Sequence, residues 1–209
     1  MADATSVSTR YRLSFSVGGL FLQGASIGAG PYLELRDWRA VRAAIDADNL
    51  LQARTVASAK RVGRELVQRL AELTDDELRL LLDATAAERG HLMWVAACRR
   101  YVLIGEFAEE VVRERFLLLA RGLTREQFES FVRAKSIWHE ELAQIKDSTL
   151  QKLRSNVFRM LQEAELLSEA GYIVPALLSE RVVAAFSAHT PSDLRFFPTQ
   201  QSAEQGVAR

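Results

Sequence analysis

Two stretches of this 209-residue chain carry side chains suited to contacting phosphates. In residues 52–69, Arg54, Lys60, Arg61, Arg64 and Arg69 stand against Glu65 alone, a local balance of +4. At about 100° per residue, Ala59, Val62, Leu66, Leu70 and Leu73 share one helical face. Lys60, Arg61, Arg64 and Gln68 then point the opposite way, with Arg54 at the flank. Arg69 falls at the apolar edge and reads as a structural residue. An exposed row of cations with no interleaved acid can contact DNA phosphates, although a solvated helix face has the same pattern. In residues 139–168, a short helix over 139–146, a tight turn at Asp147-Ser148 and a longer helix over 149–168 make a helix-turn-helix pattern. Leu150, Leu153, Val157, Met160, Leu161 and Ala164 form the expected buried stripe of the longer helix. This leaves Thr149, Gln151, Lys152, Ser155, Asn156, Arg159 and Gln162 to meet base edges or phosphates in a major groove. Glu169-Ala170-Gly171-Tyr172 would follow as a small wing.

Catalytic chemistry finds no comparable constellation. His91, His139 and His189 lack ligand spacing, and His139-Glu140-Glu141 lacks the second histidine that a zinc pair needs. His139 therefore reads as a capping or surface residue. Cys98, among Val95, Ala96 and Ala97, reads as a buried inert thiol, and a lone cysteine allows no internal disulfide. Gly18-Gly19 and Gly28-Ala29-Gly30 follow no strand and lack the phosphate-loop lysine. Neither a metal nor a cofactor is expected, and no small-molecule substrate.

The elements that must position these residues are helical almost throughout. Pro31 is the only proline in the first 170 residues, as an all-α chain would show. Capping-box patterns start helices at Thr74 with Glu77, Thr124 with Gln127 and Ser148 with Gln151. Gly90, Gly105, Gly122 and Gly171 are placed at helix ends. The pattern predicts helices near 11–24, 33–46, 52–73, 75–86, 89–104, 106–121, 125–136, 138–146, 149–168 and 175–188, with a short hairpin around 169–174 as the one strand candidate. These divide into a flexible N-terminus over 1–10, an N-terminal lobe over 11–121, a C-terminal lobe over 122–198 holding the helix pair, and a disordered tail over 199–209. Residues 13–33 carry no charge over 21 positions, but five glycines, Gln23 and Pro31 dilute the apolar content. They predict a buried packing helix in a cytoplasmic protein rather than a membrane segment. The aromatics Trp38, Trp94, Trp138, Phe116, Phe128, Phe131 and Phe158 fall at helical spacing and predict core. With 27 basic against 27 acidic residues, affinity for a polyanion must come from how charge is distributed.

Taken in order, these motifs resemble the BrxA family of the BREX bacteriophage-exclusion systems. In the first half the likeness rests on Tyr11, Phe15, Gly18-Gly19, Trp38-Arg39-Ala40-Val41, Asp48-Asn49-Leu50-Leu51, Lys60-Arg61-Val62-Gly63-Arg64-Glu65-Leu66 and Arg69-Leu70. In the second it rests on Cys98-Arg99-Arg100-Tyr101, Glu106-Phe107, Phe128, Phe131, Lys135, Trp138-His139-Glu140-Glu141-Leu142, Ser148-Thr149, Lys152-Leu153-Arg154, Met160-Leu161 and Phe196-Phe197-Pro198. The resemblance spans roughly residues 10–198 and implies a compact all-helical, non-enzymatic component of a phage-defence apparatus. It further implies a fold similar to the antitermination factor NusB and binding to double-stranded DNA. Members have been labelled inner-membrane proteins, a label the glycine-rich stretch over 13–33 can explain without a membrane. DNA contact carries over to Lys60, Arg61 and Arg64, then to Thr149 and Lys152, and last to Arg159. The expected partners are double-stranded DNA and other BREX subunits. The alternative is a protein–protein adaptor whose cationic faces meet acidic partner surfaces.

Overall fold

The computed structural model describes residues 10–15 and 18–200, so the expected tail from 201 onward and residues 1–9 lie outside it. The chain forms helices α1 (Ala25–Leu35), α2 (Trp38–Ala47), α3 (Val56–Leu70), α4 (Asp75–Leu82), α5 (Ala86–Arg100) and α6 (Val102–Phe107). A π-helical stretch (Ala108–Arg113) leads into α7 (Glu114–Leu117), α8 (Arg125–Lys135), α9 (Glu140–Ala143), α10 (Asp147–Glu163) and α11 (Glu180–Ser187), before a 3-10 turn (Asp193–Phe196). Among the described residues, β structure is confined to two isolated antiparallel bridges, Gly122 with Tyr172 and Leu167 with Ile173. The all-α class stands, and the short hairpin appears beside the residues where it was expected.

Helix α5 is the axis of the molecule. It is buried on every side from Gly90 to Cys98, and α3, α4, α6, α10, α11 and the 3-10 turn all pack against it. A helix apolar all round belongs in a core. Gly90 lies inside α5 rather than at its end, because a Cβ there would sit 3.2 Å from the Glu163 carbonyl oxygen at the α10 crossing. Trp94 donates from Nε1 to the Phe196 carbonyl at 3.0 Å, and His91 meets Phe197 edge-on. Burial lowers the His91 pKa and keeps its ring neutral. One continuous apolar cluster runs from Tyr11 to Phe197.

The largest departure from the sequence pattern is at the start. No helix spans the described part of residues 11–24. The chain threads between helices, with Tyr11, Phe15 and Leu20 buried. Gly18 (φ +62°) and Phe21 (φ +59°) turn it through the left-handed region that helices exclude. The lost helical bonds are replaced by side chains: Asn156 Nδ2 donates to the Phe15 carbonyl at 3.0 Å and Arg69 to the Gly19 carbonyl at 2.7 Å, while Leu20 N–H donates to Glu163. Pro31 lies inside α1, where it removes one backbone donor without ending the helix. The break comes instead at Arg36 (φ +56°), and Asp37 caps α2 by accepting from Arg39 N–H. The capping boxes at Thr74–Glu77 and Thr124–Gln127 form as expected, with backbone N–H to side-chain bonds of 2.8 Å. Ser148 is not a cap, since α10 begins at Asp147.

The C-terminal segment is strapped to α4 and α5 by ion pairs. Arg99 reaches both Glu77 (2.6 Å) and Asp193 (2.7 Å), and Arg181 reaches Glu88 (2.5 Å). Burial alone would raise the Glu77 carboxyl, but hydrogen bonds from Arg99 and the Thr74 N–H outweigh it and hold its pKa below the ordinary 4.5. Hydrogen bonds from Arg181, Ser179 and Thr85 likewise hold Glu88 well below its ordinary value. A depressed carboxyl contributes stability that is complete above its ordinary pKa and lost as pH falls through the folded value. The strap is therefore expected to loosen below about pH 4.5. In acid titrations followed by circular dichroism, Glu77→Gln should flatten the loss of stability over that range while lowering stability at pH 7. An unchanged acid limb would contradict this.

Candidate nucleic-acid interface

The α3 row forms as an exposed cationic strip. The Thr55 hydroxyl caps α3 through Ser58 N–H, so Arg54 precedes the helix while Lys60, Arg61 and Arg64 lie on it, and all four are exposed. Among the described residues none of the four has a carboxylate partner. The only acid of α3, Glu65, is turned inward: it accepts from Arg69 Nε at 3.0 Å and from the Tyr101 hydroxyl. Arg69 is completely buried, its guanidinium 4.8 Å from the Phe21 ring centroid, and is the structural residue its position predicted. Inward neutralisation of Glu65 leaves the outer face of α3 without a negative charge.

Helix α10 presents a mixed polar face. Gln151, Lys152, Ser155, Arg159 and Gln162 are exposed and Thr149 is half-buried. Lys152 and Arg159 have no carboxylate partner among the described residues. The Ser155 hydroxyl donates to the Gln151 carbonyl at 2.8 Å, which leaves it only as an acceptor for a ligand. Asn156, expected to face outward, is buried, because the N-terminal segment brings the Phe15 carbonyl to its amide. The turn before α10 falls at Gln144, Ile145 and Lys146, and Asp147-Ser148, expected as that turn, opens the helix. The hairpin after α10 turns over 168–171 with Gly171 at φ +82°, and Tyr172 N–H donates to the Ser168 hydroxyl.

The two basic helices are brought to one place by the residues between them. Arg69 of α3 holds Gly19 and Glu163 of α10 holds Leu20, so residues 18–20 tie the helices together. Beside that tie lies a cleft of about 580 Å3, lined by Phe21, Leu51, Gln52, Val62 and Glu163 among others. Val62 belongs to α3 and Glu163 to α10, so both helices border it.

Other chemistry-bearing residues are accounted for structurally. Burial pushes the Cys98 thiol well above its ordinary pKa, which suppresses the reactive thiolate. His139 sits at the start of α9, its ring 4.0 Å from that of Tyr11 and 3.3 Å from Glu141. Glu77, His189 and Asp193 have ligand atoms within 4.8 Å of one another, a cluster with no spacing signal in the sequence. Arg99 already bonds both carboxylates, so the group is an ion-pair network centred on that guanidinium. Trp138, expected in the core, is 79% exposed beside Ile137 at 73%, because the chain turns outward between α8 and α9. Within the described residues no helix is long and apolar enough to cross a membrane.

A family model described as BrxA matches residues 9–190. A BREX protein BrxA from Paramagnetospirillum magneticum (strain AMB-1) is 27% identical over 161 residues, which cover 77% of this chain and 81% of that protein. Another BREX protein BrxA, from Escherichia coli O9:H4 (strain HS), is 28% identical over 125 residues, 60% of this chain and 56% of that protein. The crystal structure of an uncharacterized protein from Magnetospirillum magneticum is similar in fold, with a TM-score of 0.76 at 23% identity, covering 90% of this chain and 98% of that one.

Proposed function

The chain belongs to the BrxA family, and on that premise we propose that it is a non-enzymatic, double-stranded-DNA-binding accessory component of a cytoplasmic BREX phage-defence system. The observation that carries the reading is the α3 strip: Lys60, Arg61 and Arg64 exposed and unpaired, with Glu65 neutralised inside the core. Arginines such as Arg99 and Arg181 are spent on ion pairs, whereas three unpaired cations in a row on one helix, with no acid among them on that face, are the features a phosphate backbone would engage. Helix α10, read as the second helix of a helix-turn-helix, adds Thr149, Lys152, Ser155 and Arg159 on the same DNA. Zero net charge makes the affinity modest and steeply dependent on salt. The test is a fluorescence-anisotropy titration of the purified protein against a duplex of ~30 base pairs at several salt concentrations, where contact with about six phosphates weakens binding by orders of magnitude between low and moderate salt. Absence of binding at low salt overturns the reading.

A second reading, an adaptor docking other BREX subunits, is favoured by the exposed Ile137–Trp138 pair. Large apolar side chains in water mark protein contacts. On this reading Trp138→Ala abolishes co-purification with those subunits after nuclease treatment, while duplex affinity is unchanged.

A further inference from the structure

We propose that the cleft formed by residues 18–27 and 50–52, with Val62 of α3 and Glu163 of α10 in its wall, takes a single unstacked nucleobase of the bound DNA, an inference that rests on the DNA-binding reading above. Its volume of about 580 Å3 falls in the ~300–1,000 Å3 range of small-ligand sites. Its lining combines apolar groups suited to the faces of a base with polar groups suited to its edges. Phe21, Ile27, Leu51 and Val62 supply the first, and Gln23, Gln52 and Glu163 the second.

The stacking platform is preorganised. The Arg69 guanidinium lies 4.8 Å from the centroid of the Phe21 ring, and Arg69 is itself held by Glu65 and the Gly19 carbonyl. The ring edge rests against Gly18, where a Cβ would meet Phe21 Cε1 at 2.5 Å. The backbone at the rim is strained in a concentrated way. Phe21 (φ +59°) and Gln52 (φ +50°) line the cleft, Asn49 (φ +45°) shares the loop with Gln52, and all three are non-glycine residues in the left-handed region. Such strain persists where the surrounding structure imposes it and gathers at binding sites.

The polar edge also specifies the base. One Glu163 oxygen takes the Leu20 N–H, and the other accepts no hydrogen bond among the described residues. A carboxylate accepts well from the exocyclic amino groups of adenine, cytosine and guanine, whereas the one donor on thymine's pairing edge, N3–H, is flanked by two carbonyl oxygens that repel the carboxylate, so thymine is disfavoured. A cation for a flanking phosphate stands on the α10 side, where Arg159 lies one helical turn before Glu163 on the same face. Extracting a base from a duplex costs stacking and pairing energy, so the cleft acts on a base already unpaired.

The experiment compares the purified full-length protein, at low salt, on a fully paired duplex, on the same duplex with one extrahelical adenosine, and on one with an extrahelical thymidine. The adenosine-bulged duplex is expected to bind about tenfold more tightly than the paired one, and the thymidine-bulged duplex to show less preference. A 2-aminopurine at the bulge should change its emission on binding. Phe21→Ala and the cleft-filling Val62→Trp should each abolish the preference with the paired-duplex affinity retained. If Phe21→Ala does not fold, Val62→Trp decides. Equal binding to paired and bulged duplexes with unchanged 2-aminopurine emission overturns the nucleobase site and leaves the phosphate-contact reading standing. Binding of AMP alone, with no bulge preference, overturns the assignment to a DNA base. Failure of every duplex to bind overturns both readings.

Discussion

Replacing Arg69 by methionine is expected to destabilise the protein by about 3–5 kcal/mol, the usual cost of stranding one member of a buried ion pair. The guanidinium has no solvent exposure and serves two tasks. It neutralises Glu65, which also accepts from the Tyr101 hydroxyl, and it donates to the Gly19 carbonyl at 2.7 Å. Methionine keeps much of the volume but leaves a carboxylate and a backbone carbonyl without their donor in the core. At roughly 2–4 °C per kcal/mol for a chain of this size, the melting temperature should fall by about 10 °C. The double variant Glu65→Leu with Arg69→Met removes the stranded charge and should recover part of that loss, as buried pairs replaced by apolar residues often do. Thermal unfolding followed by circular dichroism would measure both. A loss under about 1 kcal/mol in the single variant would mean that water or another cation replaces the guanidinium.

The second large effect is on DNA. Reversing Arg61 and Arg64 to glutamate should weaken duplex binding by about a hundredfold or more at low salt and make the log K against log salt slope shallower by about 2. Both side chains are exposed and without an ion-pair partner among the described residues, so folding stability should stay within about 0.5 kcal/mol. Arg79→Glu with Arg36→Glu is the control for the same change of −4 in net charge, since both guanidiniums already pair with carboxylates of α4, Arg79 with Asp76 at 2.6 Å and Arg36 with Asp75. Lys152→Glu with Arg159→Glu on α10 should add to the α3 reversal if one duplex crosses both helices. It should have no effect if DNA touches α3 alone. Unchanged affinity in the α3 variant would remove the main support for DNA contact.

The helical class, the boxes at Thr74 and Thr124, the structural place of Arg69 and the exposure of Lys60, Arg61 and Arg64 were all legible before any fold was known. Each depends on residues within a few turns of one another, where a period of about 3.6 residues separates an apolar face from a polar one. Residues 11–24 show where such reasoning stops. Their apolar content suits a helix, but the helix loses to long-range bonds from Asn156, Arg69 and Glu163, which lie more than a hundred residues away in two cases. The same path of the chain buried Asn156, which periodicity had placed on the outer face of α10. The sequence places Gly90 at a helix end because its local preference is visible there, while the α10 backbone that requires a glycine inside α5 is not. The sequence alone thus determined the helical class, most of the helices beyond residue 24 and the exposure of the cations on the outer face of α3, since these are local properties. Only the tertiary structure decided that α3 and α10 border one cleft, that Glu77, His189 and Asp193 gather around Arg99, and that Trp138 stands in solvent. Those outcomes depend on which distant backbone carbonyl or guanidinium arrives beside a side chain, and no local period encodes that.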